Sequence, residues 1–553
     1  MPKDLQTLAK RYALQNAVHH GGEARADSVL GKMLAAEPEL RKKVQEARGV
    51  VDEVVDEVNA LSVEEQKKLL EKLEEPLVPE KKEKEGLPSL PSAERKKVIL
   101  RFAPNPDGAL HLGNARPAII SDEYAKRYGG KLILRFDDTD PKVKVPEKRF
   151  YKWIREDLKW LGIIIQREFI ASKRLKIYEK YADEAVKIGA AYVCTCSGES
   201  WKKKRDEGEA CGCRDLAKKS NAERWNKMKK GSYKEGKAVL RVKTDMQDKN
   251  PAVRDWPAFR IVDKPAHPFS KAKIWPLFNF ASAIDDHLLG ITHIIRGQEH
   301  ATNEAKQRYL YKAFGWHYPH VKILGRLSLQ GMVMSKSLIR EGILQKNFAG
   351  WDDPRLATLQ SLRRRGFQPD ALRRLIVSIG ATSSDSAVAF ENLAAYNRKI
   401  IDAEAKRFFF IENPAKITLD KVPVREAKLR LHPEVDMGFR KIKAEGKIFV
   451  EKGDLERFSG SEVRLMGFCN VVLEERAKVT GTENKSIQRI HWVPAGDNIK
   501  VNVIMPEGTL SGFGEPGIAK LAKKNEVIQF ERFGFCRLER ISKSKVTAVF
   551  THR

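Results

Sequence analysis

Residues 101–114 of this 553-residue chain read Arg-Phe-Ala-Pro-Asn-Pro-Asp-Gly-Ala-Leu-His-Leu-Gly-Asn, and this stretch decides the fold of the central region. The preceding VILRF is typical of a buried strand, and the turn leads into a helix that continues through ARPAIISDEYAKRY. Free backbone N–H groups and the positive helix end would face a phosphate here. A nucleotide would lie against Gly113 and accept hydrogen bonds from His111 and Asn114. Alone, the segment equally fits an ordinary α/β turn.

A second motif favours the nucleotide interpretation. Met334, Ser335, Lys336 and Ser337 follow LGRLSLQGMV, about 220 residues downstream of His111. A Lys flanked by hydroxyls on a mobile loop is suited to neutralising the charge that grows as diphosphate departs. The predicted ATP-binding and catalytic residues are Pro104, Asn105, Pro106, Asp107, Gly108, His111, Leu112, Gly113, Asn114, Met334, Ser335, Lys336 and Ser337.

The two motifs in this order resemble the signatures of class I aminoacyl-tRNA synthetases, which have a Rossmann-like catalytic fold. LRFDDTDP (residues 134–141) and GWDDPR (residues 350–355) resemble the glutamyl- and glutaminyl-tRNA synthetase group, and the resemblance covers residues 97–553. It implies binding of ATP and Mg²⁺, an aminoacyl-adenylate intermediate and a tRNA partner. Asn114 stands where the family more often has His. This replacement keeps a hydrogen-bond donor at the position.

The predicted amino-acid pocket favours glutamate over glutamine. The resemblance implies that Arg101 binds the substrate, that Asp137 receives its ammonium group, and that Arg296 stands where glutaminyl enzymes have a small uncharged residue. Glutamate has two carboxylates and needs two cations, whereas an Arg facing a neutral amide would be left unpaired. Phe278 replaces a family Tyr, so one hydroxyl contact is missing. As an alternative, Asp137 and Asp138 could bind Mg²⁺ as an acidic cluster.

Four of the six cysteines form a cluster with metal-ligand spacing. Cys194 and Cys196 are separated by one residue, as are Cys211 and Cys213, and 14 residues lie between the pairs. Four thiolates can complete a tetrahedral structural zinc site, and buried free thiols are the alternative. Six cysteines in this length are too few for a disulfide framework.

Composition excludes several classes of protein. With 103 Lys and Arg against 74 Asp and Glu, the net charge is +29, which favours a polyanionic partner such as RNA. A hydrophobic content of 42% is enough for folded cores, so the chain is not disordered. The sequence has neither a long apolar run nor a secretory pattern at its start, so we expect no membrane association and a cytoplasmic location.

The composition also changes along the chain and predicts a multidomain α/β, α and β architecture. The predicted segments are a helical N-terminal module at residues 1–80, a linker at 81–96, the first half of a Rossmann-like catalytic core at 97–172, an acceptor-stem-binding insertion with the zinc site at 173–277, the second half of the core with the MSKS loop at 278–337, a helical connector at 338–404 and an anticodon-binding β-barrel region at 405–553.

The resemblance therefore implies a glutamyl-tRNA synthetase of the archaeal and eukaryotic type, with the cysteines and length favouring the archaeal form. The expected partners are L-glutamate and tRNA(Glu), with use of tRNA(Gln) left open, and the expected state is a monomer. A glutaminyl-tRNA synthetase is the nearest alternative. A synthetase-like RNA-binding protein without catalysis is the alternative from another class, and the two intact triphosphate-binding motifs argue against it.

Overall fold

The computed structural model describes residues 5–19, 21–37, 40, 43–72, 87–94 and 97–553. Its contacts divide the chain into two compact units, Met1–Gly86 and Leu87–Arg553. Residues 81–86 and 95–96 of the predicted linker lie outside the described residues. Residues 87–94 are the first described residues of the second unit, and Leu90 N donates to Tyr128 Oη at 3.0 Å. Within the described part of the chain, no helix is both long and apolar enough to cross a membrane.

The first unit is helical. It contains α1 (Leu5–His19), α2 (Ala26–Ala36), α3 (Val44–Asn59) and α4 (Val63–Lys72). Apolar side chains of α3 are buried at intervals of three and four residues, as an amphipathic helix requires. A capping box begins α4, because Ser62 N donates to Glu65 Oε2 at 2.9 Å and Glu65 N donates to Ser62 Oγ at 3.4 Å.

The second unit begins with a parallel sheet. Its elements are β1 (Ile99–Phe102), α5 (Leu112–Arg127), β2 (Lys131–Phe136), α6 (Lys148–Trp160) and β3 (Arg167–Ile170). The strands lie in the order β1-β2-β3, and Arg101 is in register with Ile133. The interiors of β1 and β2 are buried, as expected for a sheet covered by helices.

A separate antiparallel layer interrupts this sheet. Its elements are α7 (Leu175–Ile188), β4 (Ala191–Cys194), α8 (Gly198–Glu207), α9 (Lys218–Lys229), β5 (Val239–Val242), β6 (Pro257–Ile261) and β7 (Ile274–Pro276). The strands pair in chain order, and buried aromatic residues including Trp225 and Trp275 fill a core of their own.

The parallel sheet then resumes. The next elements are α10 (Phe278–Leu288), β8 (His293–Gly297), α11 (Ala301–Phe314) and β9 (His320–Leu324). Thr292 N donates to Ile99 O at 2.9 Å, which places the start of β8 beside β1. The chain continues through β10 (Leu327–Leu329), α12 (Lys336–Leu344), α13 (Leu359–Arg365), α14 (Pro369–Ile379), β11 (Ser386–Val388) and α15 (Phe390–Ile401).

The C-terminal region is built from two curled seven-stranded sheets and a two-stranded hairpin, β15–β16, which confirms the predicted fold class. Its elements are β12 (Arg407–Phe408), β13 (Phe410–Ile411), β14 (Pro414–Leu419), β15 (Glu426–Arg430), β16 (Phe439–Lys443), β17 (Lys447–Glu451), α16 (Lys452–Phe458), β18 (Glu462–Leu465), β19 (Asn470–Val472), β20 (Arg476–Gly481), β21 (Arg489–Ile490), β22 (Val493–Pro494), β23 (Ile499–Met505), β24 (Gly508–Gly514), α17 (Ile518–Leu521), β25 (Val527–Phe530), β26 (Gly534–Ile541) and β27 (Lys545–His552).

Both sheets come close to closing into barrels. One has the order β12-β25-β26-β27-β23-β24-β13, and its two edge strands are separated in the chain by Phe409 alone. The other has the order β21-β18-β19-β20-β14-β17-β22, and its edge strands flank His491 and Trp492. A sheet whose two edges are joined by so short a segment has to curl, which protects its edge strands.

Candidate active site

The turn after β1 and the first turn of α5 form one side of the site. His111 is the N-cap residue of α5, and its backbone N–H donates to Asn114 Oδ1 at 3.4 Å. A Cβ atom on Gly108 would lie 2.7 Å from the Trp351 ring, and one on Gly113 would lie 3.1 Å from the His111 ring. A side chain at position 108 would therefore force the Trp351 ring to move, and one at position 113 would crowd the His111 ring.

The MSKS segment lies against this turn. Ser335 is the N-cap residue of α12, and Lys336 extends back so that its Nζ donates to Asp107 Oδ1 at 2.9 Å and to Asn105 O at 3.1 Å. Met334 Cε lies 3.1 Å from the position of a Cβ on Gly113. The structure thus brings together the two motifs that the sequence singled out.

A strap of residues 350–359, which includes the GWDDPR motif, connects the two motifs. Leu112 N donates to Ala357 O at 3.0 Å, and Leu359 N donates to Leu110 O at 2.8 Å. Isolated β-bridges join His111 to Thr358 and Val333 to Leu356. The sequence analysis recognised the motif but not this structural role, because its bonds to residues 110–112 join parts of the chain that lie far apart in the sequence.

Burial controls the ionisation of the two basic groups. Desolvation, reinforced by the charge of Lys336, lowers the pKa of His111 to about 3. His111 is therefore neutral near pH 7 and acts as a hydrogen-bonding group. Burial also lowers the pKa of Lys336, while Asp107 opposes this shift. His111 Nδ1 and Asn105 Oδ1 are buried without a hydrogen-bond partner among the described residues, so both are available to a ligand.

The residues predicted to bind the amino acid lie in a buried network of charged side chains. Arg101 binds Asp286 through two hydrogen bonds of 3.1 and 3.2 Å, and Arg135 binds Asp137 at 2.7 and 3.2 Å. Arg135 Nη1 also donates to Asp286 at 3.2 Å, so Asp286 joins the two arginines. Sequence analysis found Arg101 and Asp137 but missed Asp286 and also Arg135, which lies in the recognised LRFDDTDP motif.

Arg296 differs from the other arginines of the pocket because no carboxylate among the described residues pairs with it. It is 4% exposed, and its guanidinium nitrogens donate to Gln307 Oε1 at 3.4 and 3.5 Å. The same oxygen accepts a bond of 2.6 Å from Tyr318 Oη. Burial and then the charge of Arg101 lower the pKa of Arg296. Phe278 begins α10, and its ring centre lies 5.8 Å from that of His300.

The alternative of a Mg²⁺ site at Asp137 and Asp138 has no support in the geometry. Asp138 accepts hydrogen bonds from Tyr151 Oη at 2.6 Å, Ser172 N at 2.7 Å and Ser172 Oγ at 2.6 Å. Asp137 is held by Arg135. Protein donors therefore occupy the carboxylates that a cation would need.

Comparison with known proteins decides the family. The profile described as "tRNA synthetases class I (E and Q), catalytic domain" matches residues 97–403, and two anticodon-binding domain profiles match residues 405–492 and 489–539. The chain belongs to the class I glutamyl- and glutaminyl-tRNA synthetases. This confirms the family predicted from the sequence.

Relatives of this synthetase span its whole length. Proteins named Glutamate--tRNA ligase from Pyrococcus furiosus and Thermococcus kodakarensis are 50% and 48% identical, each covering 100% of both chains. One from Archaeoglobus fulgidus is 44% identical and covers 99% of this chain and 100% of its own. These archaeal relatives agree with the archaeal type predicted from the sequence.

The four cysteines of this synthetase lie together in the insertion. The Sγ atoms of Cys194, Cys196, Cys211 and Cys213 all lie within 4.8 Å of one another, and that of Cys194 lies 3.8 Å from that of Cys211. With Zn–S bonds of about 2.3 Å, tetrahedral geometry requires sulfur atoms about 3.8 Å apart. Arg224 Nη1 donates to Cys213 Sγ at 3.4 Å, and such a donor stabilises a thiolate. The donor set and its spacing therefore fit zinc.

Proposed function

We propose that this protein catalyses the ATP-dependent ligation of L-glutamate to tRNA(Glu) through a glutamyl-adenylate, with release of AMP and diphosphate. The observation that carries the choice of glutamate is the buried, unpaired Arg296 beside the Arg101–Asp286 pair. Full-length relatives named Glutamate--tRNA ligase support the same conclusion.

Charge balance in the pocket explains the preference. The buried network contains three guanidinium groups and three carboxylates joined by ion pairs, on Arg101, Arg135, Arg174, Asp137, Asp285 and Asp286, together with Arg296, whose hydrogen bonds go to Gln307. The network is therefore one positive charge in excess. Glutamate carries a net charge of −1 and completes the balance, whereas glutamine is a neutral zwitterion and leaves one buried cation uncompensated, which is costly.

The activation step needs no nucleophile from the protein. An oxygen of the substrate α-carboxylate attacks the α-phosphorus of ATP, and the bond to the departing diphosphate breaks. Lys336, held beside the turn, stabilises the charge on the phosphates, and neutral His111 and Asn114 supply hydrogen bonds. Mg²⁺ carried with ATP supplies further charge neutralisation. A terminal ribose hydroxyl of tRNA then attacks the carbonyl carbon, and AMP leaves.

We assign functions to the remaining segments from the family to which the chain belongs. The insertion at residues 173–277 would bind the acceptor end of the tRNA, and the curled sheets after residue 405 would bind the anticodon. We expect the reaction to take place in the cytoplasm, as the sequence predicts. A monomeric state and any use of tRNA(Gln) stay predictions from the sequence.

Aminoacylation tests the proposal directly. Labelled glutamate and glutamine would be supplied separately with purified tRNA(Glu) and tRNA(Gln). Glutamate transfer to tRNA(Glu) is the expected result, and transfer to both tRNAs would identify a non-discriminating enzyme. Transfer of glutamine would contradict the charge argument, and no transfer of either amino acid would favour the RNA-binding alternative.

The cysteine cluster is proposed to hold one structural Zn²⁺, which would brace the insertion. Four thiolates leave no open coordination position, so the ion would take no part in adenylate formation. Elemental analysis of protein purified without added metal should give about one equivalent, and a Cys211→Ser variant should retain less metal. Cys469→Ser is the matched control because Cys469 lies outside the cluster. Metal-free protein with full stability and activity would contradict the assignment of a zinc site.

A further inference from the structure

Asp285 is a buried carboxylate at the junction of the amino-acid pocket and the insertion. It is 0% exposed and lies on α10 beside Asp286. Both of its oxygens accept hydrogen bonds from the start of the insertion. Arg174 Nε, just before α7, donates to Oδ1 at 2.8 Å, and Tyr178 Oη, in the first turn of α7, donates to Oδ2 at 2.6 Å. The insertion thus supplies two donors to a carboxylate of the catalytic core.

Arg135, the neighbouring cation, has no hydrogen-bond donor to spare. A guanidinium has five N–H groups, and here Asp137 accepts two of them, Asp286 one and Ser282 two. The Nε atom carries a single hydrogen, which it donates to Asp137 Oδ1 at 2.7 Å. Asp285 Oδ2 lies 4.0 Å from this same nitrogen. A second carboxylate can therefore bind Nε only by displacing Asp137.

Tyr178 holds the oxygen of Asp285 that approaches Arg135. The phenol is 0% exposed, and burial together with the charge of Asp285 raises its pKa, so Tyr178 keeps its proton and remains a donor. On the other side, the Arg174 guanidinium lies over the ring of Phe169, 5.2 Å from its centre. Phe169 on β3 is in register with Arg135 on β2. Packing as well as charge therefore fixes Arg174.

We propose that Tyr178 and Arg174 are positioning residues for the amino-acid substrate. By binding both oxygens of Asp285, they keep this carboxylate away from Arg135 and leave Asp137 in the orientation that receives the substrate ammonium group. Both act through Asp285 and Arg135 rather than by contact with the substrate. This inference rests on the proposed function, in which Asp137 binds the ammonium group of glutamate.

Tyr178→Phe tests the proposal without changing a charge or the shape of the ring. Loss of the hydroxyl frees Asp285 Oδ2, which would move to Arg135 and displace Asp137. Steady-state aminoacylation of tRNA(Glu) by the full-length protein measures the result. Because the groups belong to one ion-pair network, KM for glutamate should rise about tenfold, whereas KM for ATP and kcat should each change less than about twofold.

A second substitution distinguishes positioning from a contribution to stability alone. Asp285→Asn removes the charge that competes for Arg135. The double variant Tyr178→Phe/Asp285→Asn should therefore have a KM for glutamate within about twofold of that of Asp285→Asn. Arg174, which then lacks its anion, is 16% exposed and can be hydrated. A Tyr178 that served stability alone would raise KM by the same factor in both backgrounds.

Tyr124→Phe is the matched control. Tyr124 is also 0% exposed, and its Oη donates to Pro88 O at 2.8 Å. It lies in the last turn of α5, at the opposite end from His111. Both variants should lower the midpoint of thermal unfolding, because each loses one buried hydrogen bond. Only Tyr178→Phe should raise the KM for glutamate.

The outcomes separate this inference from the proposed function. Three results would overturn the inference while glutamate transfer by the wild type stays intact: an unchanged KM for glutamate in Tyr178→Phe, an equal rise in Tyr124→Phe, or a rise that persists in the Asp285→Asn background. Failure of the wild-type protein to transfer glutamate would remove the proposed function and, with it, the inference.

Discussion

The sharpest prediction concerns the charge of Arg296. Its removal should leave the stability of the free protein unchanged or raised, whereas activity with glutamate should fall. Arg296→Gln removes a buried cation that has no carboxylate partner in the described chain, keeps a polar side chain and makes the network neutral. In the free protein this relieves a desolvation cost, so the midpoint of thermal unfolding should stay or rise. With glutamate bound, a substrate carboxylate would lose its cation.

The cost to glutamate use can be estimated. Leaving one buried charge of a pair uncompensated costs about 3–5 kcal/mol. Since each 1.36 kcal/mol is a factor of ten, kcat/KM for glutamate should fall about 100- to 5000-fold. The ratio of kcat/KM for glutamine to kcat/KM for glutamate should rise, because the neutral network now matches a neutral zwitterion. Steady-state aminoacylation with both amino acids measures the two ratios.

Arg101 provides the contrasting control. Its guanidinium neutralises Asp286, so Arg101→Gln should lower the unfolding midpoint as well as activity. The reasoning about Arg296 would be refuted by an Arg296→Gln enzyme that is destabilised like Arg101→Gln, or by one whose preference for glutamate over glutamine is unchanged.

Two further predictions concern groups that hold catalytic side chains. Burial lowers the pKa of Lys336, and Asp107 opposes this shift. In Asp107→Asn the pKa of Lys336 should therefore fall further, so activity should be lost at a lower alkaline pH than in the wild type. A pH–rate profile whose alkaline limb is unmoved would contradict this. Gln307→Leu and Tyr318→Phe should each reduce kcat/KM for glutamate by about tenfold, with little effect on the KM for ATP. Their effects should be less than additive in the double variant, because both residues act on Arg296 through the Gln307 Oε1 atom. Additive losses, or equal losses for ATP, would show that the two residues act elsewhere.

The sequence could predict features whose signal is local. His111 with Asn114, and Lys336 within MSKS, each depend on spacing over a few residues, and the strand and helix periodicities around them are strong. The curled sheets were predictable because most of their strands alternate clearly. The β15–β16 hairpin was missed because EAKLR and FRKIK place charges on the outer face and a buried Arg440 on the inner one, so apolar periodicity is weak.

The partners that set the chemistry of the site were beyond sequence patterns. Asp286 meets Arg101 across 185 residues, and Thr358 lies beside His111 across an even longer separation in the chain. Only the fold brings such groups together, and a partner's charge then decides whether an arginine is structural or free for substrate. Arg101 and Arg296 look equivalent in the sequence. The structure distinguishes their partners, since Asp286 neutralises Arg101, whereas the acceptor that Arg296 meets among the described residues is the neutral Gln307. Under the proposed function, Arg296 would therefore be the cation left for the incoming carboxylate.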